Sequence, residues 1–477
     1  MHVGVWQIVL ASLHVGLAAA VSAHIVLTKP DVRSAIGWAG LVWFAPVVGT
    51  LLYASFGINR IRRRAGRMRR GRSVIVDSFR VRTLPRPSLP APYTPPLQAL
   101  ATLVGAVTHT PLVDHNTIDP LVNGDEAYPA MLAAIDGAKH SIALATYIFD
   151  RGRVADRFLD ALAGAVARGV AVRVLIDGVG ARYSHPSIIG ALRARGVPVA
   201  VFLPSVVPVL HPFVNLRNHR KLLVADGAVA FCGGMNIRDA CLLALAPPEP
   251  TQDVHFRIAG PVVRQVMHAL AFDWRFTTRE TLAGRAWFPP LRPAGEVLAR
   301  GIPDGPDEDF ETLLLTLLGA VSQATESVRI VTPYFLPDPP LLDALRVSAL
   351  RGVRIEIILP ARGNLKLVQW AATAQLGQAI RGGCHVFLSA PPFDHSKLMV
   401  VDGQWSLIGS GNWDPRSLRL NFEYAVEGYS VELARRLNGL IDAKLAAARP
   451  VSLANLAGRS LPVKLRDGVA WLAQPYL

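Results

Sequence analysis

The sequence predicts an α/β protein of two pseudo-symmetric domains. Each is a mixed β-sheet flanked by helices, and an N-terminal two-helix transmembrane hairpin precedes them. Three observations predict it. The stretch His219-Arg220-Lys221-Leu222-Leu223-Val224-Ala225-Asp226-Gly227 is echoed by His395-Ser396-Lys397-Leu398-Met399-Val400-Val401-Asp402-Gly403, and the echo continues at one shared offset in Gly233, Gly234 and Asn236 against Gly409, Ser410 and Asn412. A strand-helix-strand pattern precedes each copy. Two long stretches without charged residues open the chain. A single His-x-Lys-x4-Asp would occur in roughly 6% of random chains this long, but two copies with matching Gly-(Gly/Ser)-x-Asn tails are on the order of a million-fold rarer. The motif is therefore a duplicated half-site.

At 477 residues the chain exceeds one ordinary core. Hydrophobic residues make up 51%, and 50 Lys plus Arg against 35 Asp plus Glu leave a net charge of +15. A chain both apolar and basic suits an anionic membrane surface, nucleic acid being the other usual partner of such a charge. Cys232, Cys241 and Cys384 are few and unclustered. They exclude a disulfide framework or a cysteine zinc site and fit a reducing compartment.

Residues 1–28 and 34–59 carry no charge with His neutral. Twenty-six residues of helix at about 1.5 Å each reach roughly 39 Å, enough to cross a hydrocarbon core of about 30 Å. Residues 1–59 thus read as a transmembrane hairpin. Val21-Ser22-Ala23 resembles a signal cleavage site, but no basic leader precedes the apolar run. Arg60, Arg62, Arg63, Arg64, Arg67, Arg69, Arg70 and Arg72 follow, against only Lys29 and Arg33 between the helices. The positive-inside rule then puts both ends of the hairpin, and everything beyond it, in the cytoplasm. Pro85, Pro87, Pro90, Pro92, Pro95 and Pro96 mark an extended tether. The predicted boundaries are 60–118 for this basic, Pro-rich linker, 119–295 for the first globular domain and 296–477 for the second with its tail. The tail, 453–477, mixes apolar and basic residues and could lie along a membrane or pack on its own domain.

In the first domain residues 141–147 read as strand, 154–168 as helix and 170–177 as strand; in the second the same order falls at 328–334, 340–350 and 353–359. Asp226-Gly227 and Asp402-Gly403, each between apolar runs, are hairpin turns. Each motif is then a strand bearing His and Lys on one face, a tight turn and a returning strand that delivers the Gly-rich segment and the Asn.

An imidazole beside a fixed ammonium, with small residues and an amide nearby, suits phosphoryl chemistry. Lys221, Lys397, Asn236 and Asn412 would hold non-bridging oxygens, while Gly234 and Ser410 would let the backbone approach. One of His219 and His395 would attack phosphorus and the other would move the proton of the leaving and incoming oxygens. Asp226 and Asp402 complete the candidate catalytic set as motif members, although the Asp of an Asp-Gly turn has a structural reason to exist.

With these motifs, and with the wordings Asn218-His219-Arg220-Lys221 and Asn412-Trp413-Asp414-Pro415-Arg416-Ser417-Leu418, the chain resembles the phospholipase D superfamily and within it the bacterial cardiolipin synthases. The resemblance runs from the N-terminal helices almost to the C-terminus. It implies two phospholipase D-like domains sharing one site, a phosphohistidine intermediate and no metal or other cofactor. It makes His219 the nucleophile, His395 the acid/base, and Asp253 and Glu423 the carboxylates that orient the two histidines. It further implies phosphatidylglycerol and other anionic phospholipids as partners, the bacterial inner membrane as location, and transfer of a phosphatidyl group between two phosphatidylglycerols. The rivals are a hydrolase or other phosphatidyltransferase with the same site, a membrane-tethered nuclease and a non-catalytic membrane-surface scaffold. No run of aromatics interleaved with Lys or Arg marks a nucleic-acid groove, so no nucleic acid is expected.

Overall fold

A computed structural model describes residues 2–29, 31–57, 89–91, 93–204, 216–306 and 309–474. The arginine run 60–72, Pro85, Pro87 and Pro92 lie outside the described residues. Two compact units result, Met1–Gly71 and Arg72–Leu477.

In the N-terminal unit α1 (His2–Thr28) contains one stretch, Gly4–Thr28, long and apolar enough to cross a membrane. Asp31 caps α2 (Val32–Phe44) by accepting a 2.6 Å hydrogen bond from Ser34 N. Ala18 and Ile25 of α1 pack with Val42 of α2 and with Tyr53, and the Trp43 indole donates to Ser22 Oγ at 3.1 Å. The second apolar segment is not the single 26-residue helix expected from its composition. It breaks at Ala45 (φ −138°, ψ 76°), and α3 (Pro46–Leu52) starts afresh. Pro46 explains the break, because it has no N–H to give the preceding turn and forces residue 45 out of the helical region. α3 folds back on α2 so closely that a side chain at Gly49 would collide with the Leu41 carbonyl.

The second unit begins earlier than the composition suggested. Pro95 and Pro96 do not extend the linker but open α4 (Pro95–Thr108), where a missing N–H costs nothing. α4 buries Leu97, Leu100, Ala101 and Val104 against the helix Thr312–Gln323.

One sheet runs through both halves. In the first half its strands lie in the order Val254–Ala259, Val229–Gly233, Leu222–Ala225, Ser141–Thr146, Ala171–Asp177, Val199–Phe202. In the second they lie in the order Asn421–Tyr429, Trp405–Gly409, Leu398–Val401, Ser327–Val331, Arg354–Pro360, His385–Ser389. Each series is antiparallel through its first three pairings and parallel through its last two. Strands Val113–Val122 and Val297–Asp304 pair with one another and join the two series about a local pseudo-two-fold axis. The expected elements of the repeat lie within a residue or two of these strands and of the helices Arg153–Ala167 and Pro339–Leu350, except that the strand expected at 328–334 ends at Val331. A shared core with Phe256, Met267, Leu270, Val331, Tyr424 and Val426 fills the space between the halves. They form one compact unit rather than two bodies on a hinge.

Both Asp-Gly turns have the conformation their wording demands. Asp226 and Gly227 have φ of 52° and 61°, Asp402 and Gly403 of 50° and 62°, the paired positive values of a type I′ hairpin turn.

Candidate active site

Two short strands bring the motifs together. Arg217–Asn218 pairs in parallel with Asn421–Phe422, and His219 N then donates to the Phe422 carbonyl at 2.9 Å. Phe393–Asp394 pairs in parallel with Thr251–Gln252, and His395 N donates to the Gln252 carbonyl at 2.7 Å. Each histidine is thus hung on the opposite half, beside the residue that precedes a carboxylate. Consequently His219 Nδ1 lies 2.9 and 3.0 Å from the two oxygens of Glu423, and His395 Nδ1 lies 2.9 Å from Asp253 Oδ2. The pairing is crossed, each imidazole meeting the carboxylate of the other half. The histidines and lysines do not sit in regular strand as expected; residues 219–221 and 395–397 leave the ladder between the short strand and the hairpin.

Both carboxylates are fully buried, and each imidazole keeps 12% of its side-chain surface exposed. Burial pushes Glu423 up, but the charge and hydrogen bond of His219, with Lys221 and Ser410, outweigh it and hold the carboxyl below its ordinary value. An ionised carboxylate can only accept. The His219 proton is therefore on Nδ1, and Nε2 carries the lone pair. Burial lowers His219 to about 4, with Glu423 opposing and Lys221 and Lys397 adding to the fall; burial and then Lys397 lower His395 to about 4. Burial also takes Lys221 to about 7 and Lys397 to about 8. Each half's lysine acts on the other half's histidine, and the charge of Lys397 adds to the fall of Lys221. The four bases therefore lie close enough for their charges to act on one another across the two halves.

The lysines differ. Lys397 Nζ sits 3.1 Å from both ring nitrogens of His395 and donates to the His395 carbonyl at 2.6 Å. Lys221 Nζ donates to the His219 carbonyl at 2.6 Å and lies 5.3 Å above the Tyr147 ring, a cation–π distance.

Other expected site residues have firmer structural tasks. The Asp226 carboxylate accepts from the backbone N–H of Lys139, His140 and Ser141, and Asp402 from those of Thr325, Glu326 and Ser327 and from the Thr325 hydroxyl. Both aspartates pin the hairpin turn to the start of a central strand, which fits the structural reason that the Asp of an Asp-Gly turn has to exist. The Ser410 hydroxyl donates to Glu423. At Gly234 a side chain would press on both Asp253 oxygens, at 2.8 Å. These two small positions seat the carboxylates. Asn236 Oδ1 accepts from Ile148 N at 3.1 Å, which leaves its NH2 group unengaged among the described residues, whereas Asn412 Nδ2 donates to Ser417 Oγ at 3.2 Å.

Several neighbours were not singled out from the sequence. Tyr147 stands edge-on to His219 at 5.1 Å between ring centroids and Tyr334 edge-on to His395 at 6.5 Å. Tyr147 directly follows the strand Ser141–Thr146, and Tyr334 lies three residues beyond the strand Ser327–Val331. Arg220 Nε donates to the Glu423 carbonyl at 2.9 Å, and its Nη1 pairs with Asp273 at 2.7 Å. Asp414, buried beside Ser417 and Glu423, is raised to about 6 by its burial.

An anionic tetrahedral centre placed between the imidazoles would meet a lone-pair nitrogen on one side, a second imidazole on the other and two ammonium groups around it. That arrangement serves nucleophilic attack at phosphorus with proton transfer to the departing oxygen.

Comparisons with known proteins agree. A family model described as "Cardiolipin synthase, PLD-like domain" matches residues 131–245 and 317–444. The major cardiolipin synthase of Bacillus subtilis is 30% identical, aligned over 94% of this chain and 95% of that protein. Cardiolipin synthase A of Pseudomonas fluorescens is 32% identical over 93% of this chain and 92% of its own length. The crystal structure of phosphatidylserine synthase from Haemophilus influenzae superposes with a TM-score of 0.61 at 16% identity, covering 80% of this chain and all of that one, a likeness of fold.

Proposed function

Because the chain belongs to the cardiolipin synthase family of phospholipase D-like proteins, we propose that it makes cardiolipin by phosphatidyl transfer between two phosphatidylglycerols. His219 Nε2 attacks the phosphorus of the first lipid. The bond from phosphorus to the glycerol oxygen breaks, and that oxygen leaves with a proton from His395 Nε2. The free hydroxyl of a second phosphatidylglycerol gives its proton back to His395 as its oxygen attacks phosphorus. The bond to His219 breaks, and cardiolipin is released.

The observation that carries this reading is the crossed His–carboxylate pairing, in which each imidazole meets the carboxylate of the other half and has a buried lysine beside it. Two features support His219 as the nucleophile. Its carboxylate is the more heavily engaged, receiving Ser410 and Asn421 as well as the imidazole. Its Nε2 is also free of the ammonium contact that occupies His395. The buried imidazoles are neutral until an anion arrives, and a phosphodiester would restore the proton that His395 must donate. Asn236 and the two lysines would bind the non-bridging oxygens.

α1, with the arginine-rich sequence beyond the apolar N-terminal helices, supports attachment to the bacterial plasma membrane with the catalytic halves on the cytoplasmic side. Anchorage supplies acceptor hydroxyls at high local concentration and little water, which favours transfer over hydrolysis. The purified full chain in detergent should convert phosphatidylglycerol to cardiolipin and glycerol in equal amounts. Phosphatidic acid as the sole product would replace this reading with a hydrolase. Chelator should leave the rate unchanged.

A further inference from the structure

The second half holds a cavity of about 470 Å³ that the chemistry above leaves unused. That volume lies in the range of about 300–1,000 Å³ that encloses small amphiphilic ligands. Val368, Ala372, Leu376, Leu388 and Leu456 give it apolar walls. Tyr334 closes one side, and the same ring is the edge-on neighbour of His395. The cavity therefore begins one aromatic ring from the proposed acid/base. Arg449 also lines it, exposed and paired with no carboxylate among the described residues.

The adjacent surface is unusual in the same sense. The helix Leu461–Leu472 packs Ala470 onto Val368, Ala371 and Ala372 of the helix Lys366–Arg381. Its outer face presents Leu461, Leu465, Val469 and Leu472, each at least 60% exposed and spaced along one stripe. Arg466, stacked on Trp370, and Lys464 flank the stripe. An amphipathic helix with its apolar face outward and cations at its sides is built to lie on a lipid surface. Here it shares its supporting helix with the cavity whose lining includes Tyr334, the neighbour of His395.

We propose that this cavity takes one acyl chain of the anionic phospholipid whose phosphate sits between His219 and His395, the chain entering from a bilayer on which the helix Leu461–Leu472 rests. The inference rests on the phosphatidyl-transfer reading and adds to it a chain-length-sensing site present in the second half. Glycerophospholipids with long chains would fill the cavity, and those with very short chains would leave it empty.

The test uses the full chain in mixed micelles. Ala372→Trp fills the cavity from the helix that forms its wall. Its rate on dioleoyl relative to dihexanoyl phosphatidylglycerol should fall about tenfold from the wild-type ratio, the short-chain lipid reporting that the variant is folded. A folded variant that keeps the wild-type ratio overturns the proposal. A phosphatidylglycerol carrying a photoactivatable diazirine at the end of one acyl chain gives a second readout that needs no turnover. Irradiation of the wild-type chain should label peptides from 366–381, and labelling confined to residues 2–57 overturns the proposal. A wild-type chain that makes no cardiolipin yet is labelled at 366–381 counts against the transfer reading and for the cavity.

Discussion

Two imidazoles that, on the proposed reading, must be uncharged to attack phosphorus or accept a proton lie beside two buried ammonium groups. Desolvation resolves the conflict by weakening all four bases, so the empty site avoids carrying four positive charges. The energetic sign is set by the lysines. Lys221 has an ordinary value of 10.5 and sits at about 7 when folded. Between these values the unfolded chain binds more protons, and stability rises with pH across that window. A bound anion favours the charged form and weakens the trend. Inorganic phosphate should therefore raise the Tm of the full chain more at pH 6 than at pH 9, with net proton uptake near pH 7 when calorimetry is repeated in buffers of different ionisation enthalpy. A phosphate effect independent of pH would remove the linked lysines from the site. At the same scale, His219→Ala should abolish the phosphoenzyme formed with radiolabelled donor. His395→Ala should slow turnover by about 10²–10⁴-fold, the usual worth of a general acid–base, and leave the phosphoenzyme to accumulate. The reverse pattern would exchange the two roles. The identity of these residues was legible in the sequence because the motif occurs twice in register. The tasks of Ser410 and Gly234 were not, since a hydroxyl and a missing side chain look alike in a pattern until the carboxylate each one seats is in view.

Hairpins and short strands are the elements that deliver the site. Asp226 and Asp402 each collect several N–H donors at the start of a central strand. Asp226→Ala and Asp402→Ala should each cost about 1–3 kcal/mol of stability in urea unfolding, while kcat of the folded fraction stays within a few-fold of wild type. A thousandfold fall in kcat without destabilisation would keep them in the catalytic set. Asp-Gly between apolar runs made both turns readable, because few residues tolerate two successive positive φ values. Pro46 carried the break in the second apolar segment, but a count of uncharged residues does not register a missing N–H. The same oversight in reverse hid α4, since Pro95 and Pro96 block a helix interior yet suit its first turn. The two-residue strands Arg217–Asn218 and Phe393–Asp394 are too short to leave any periodicity in the letters.

At the scale of the molecule the halves exchange carboxylates. Glu423→Gln, although it lies in the second half, should impair the first-half nucleophile and slow phosphoenzyme formation by about a hundredfold or more. Asp253→Asn should instead resemble His395→Ala. Rapid-quench measurement of phosphoenzyme formation and decay separates the two, and defects confined to the histidine of the same half would refute the crossed assignment. The duplication and the α/β class could be read from the chain. The crossing could not, because it depends on which strand edges meet across some 140 to 200 positions of sequence, and no local preference encodes that choice.

The exchange of carboxylates also bears on ancestry. A polypeptide with one repeat would own an imidazole and a carboxylate that cannot reach each other, and it would gain a working centre only by pairing with a twin. Fusion of the twins frees each copy to drift from the other, and the hydroxyl that Ser410 sets against the bare Gly234 is one such divergence.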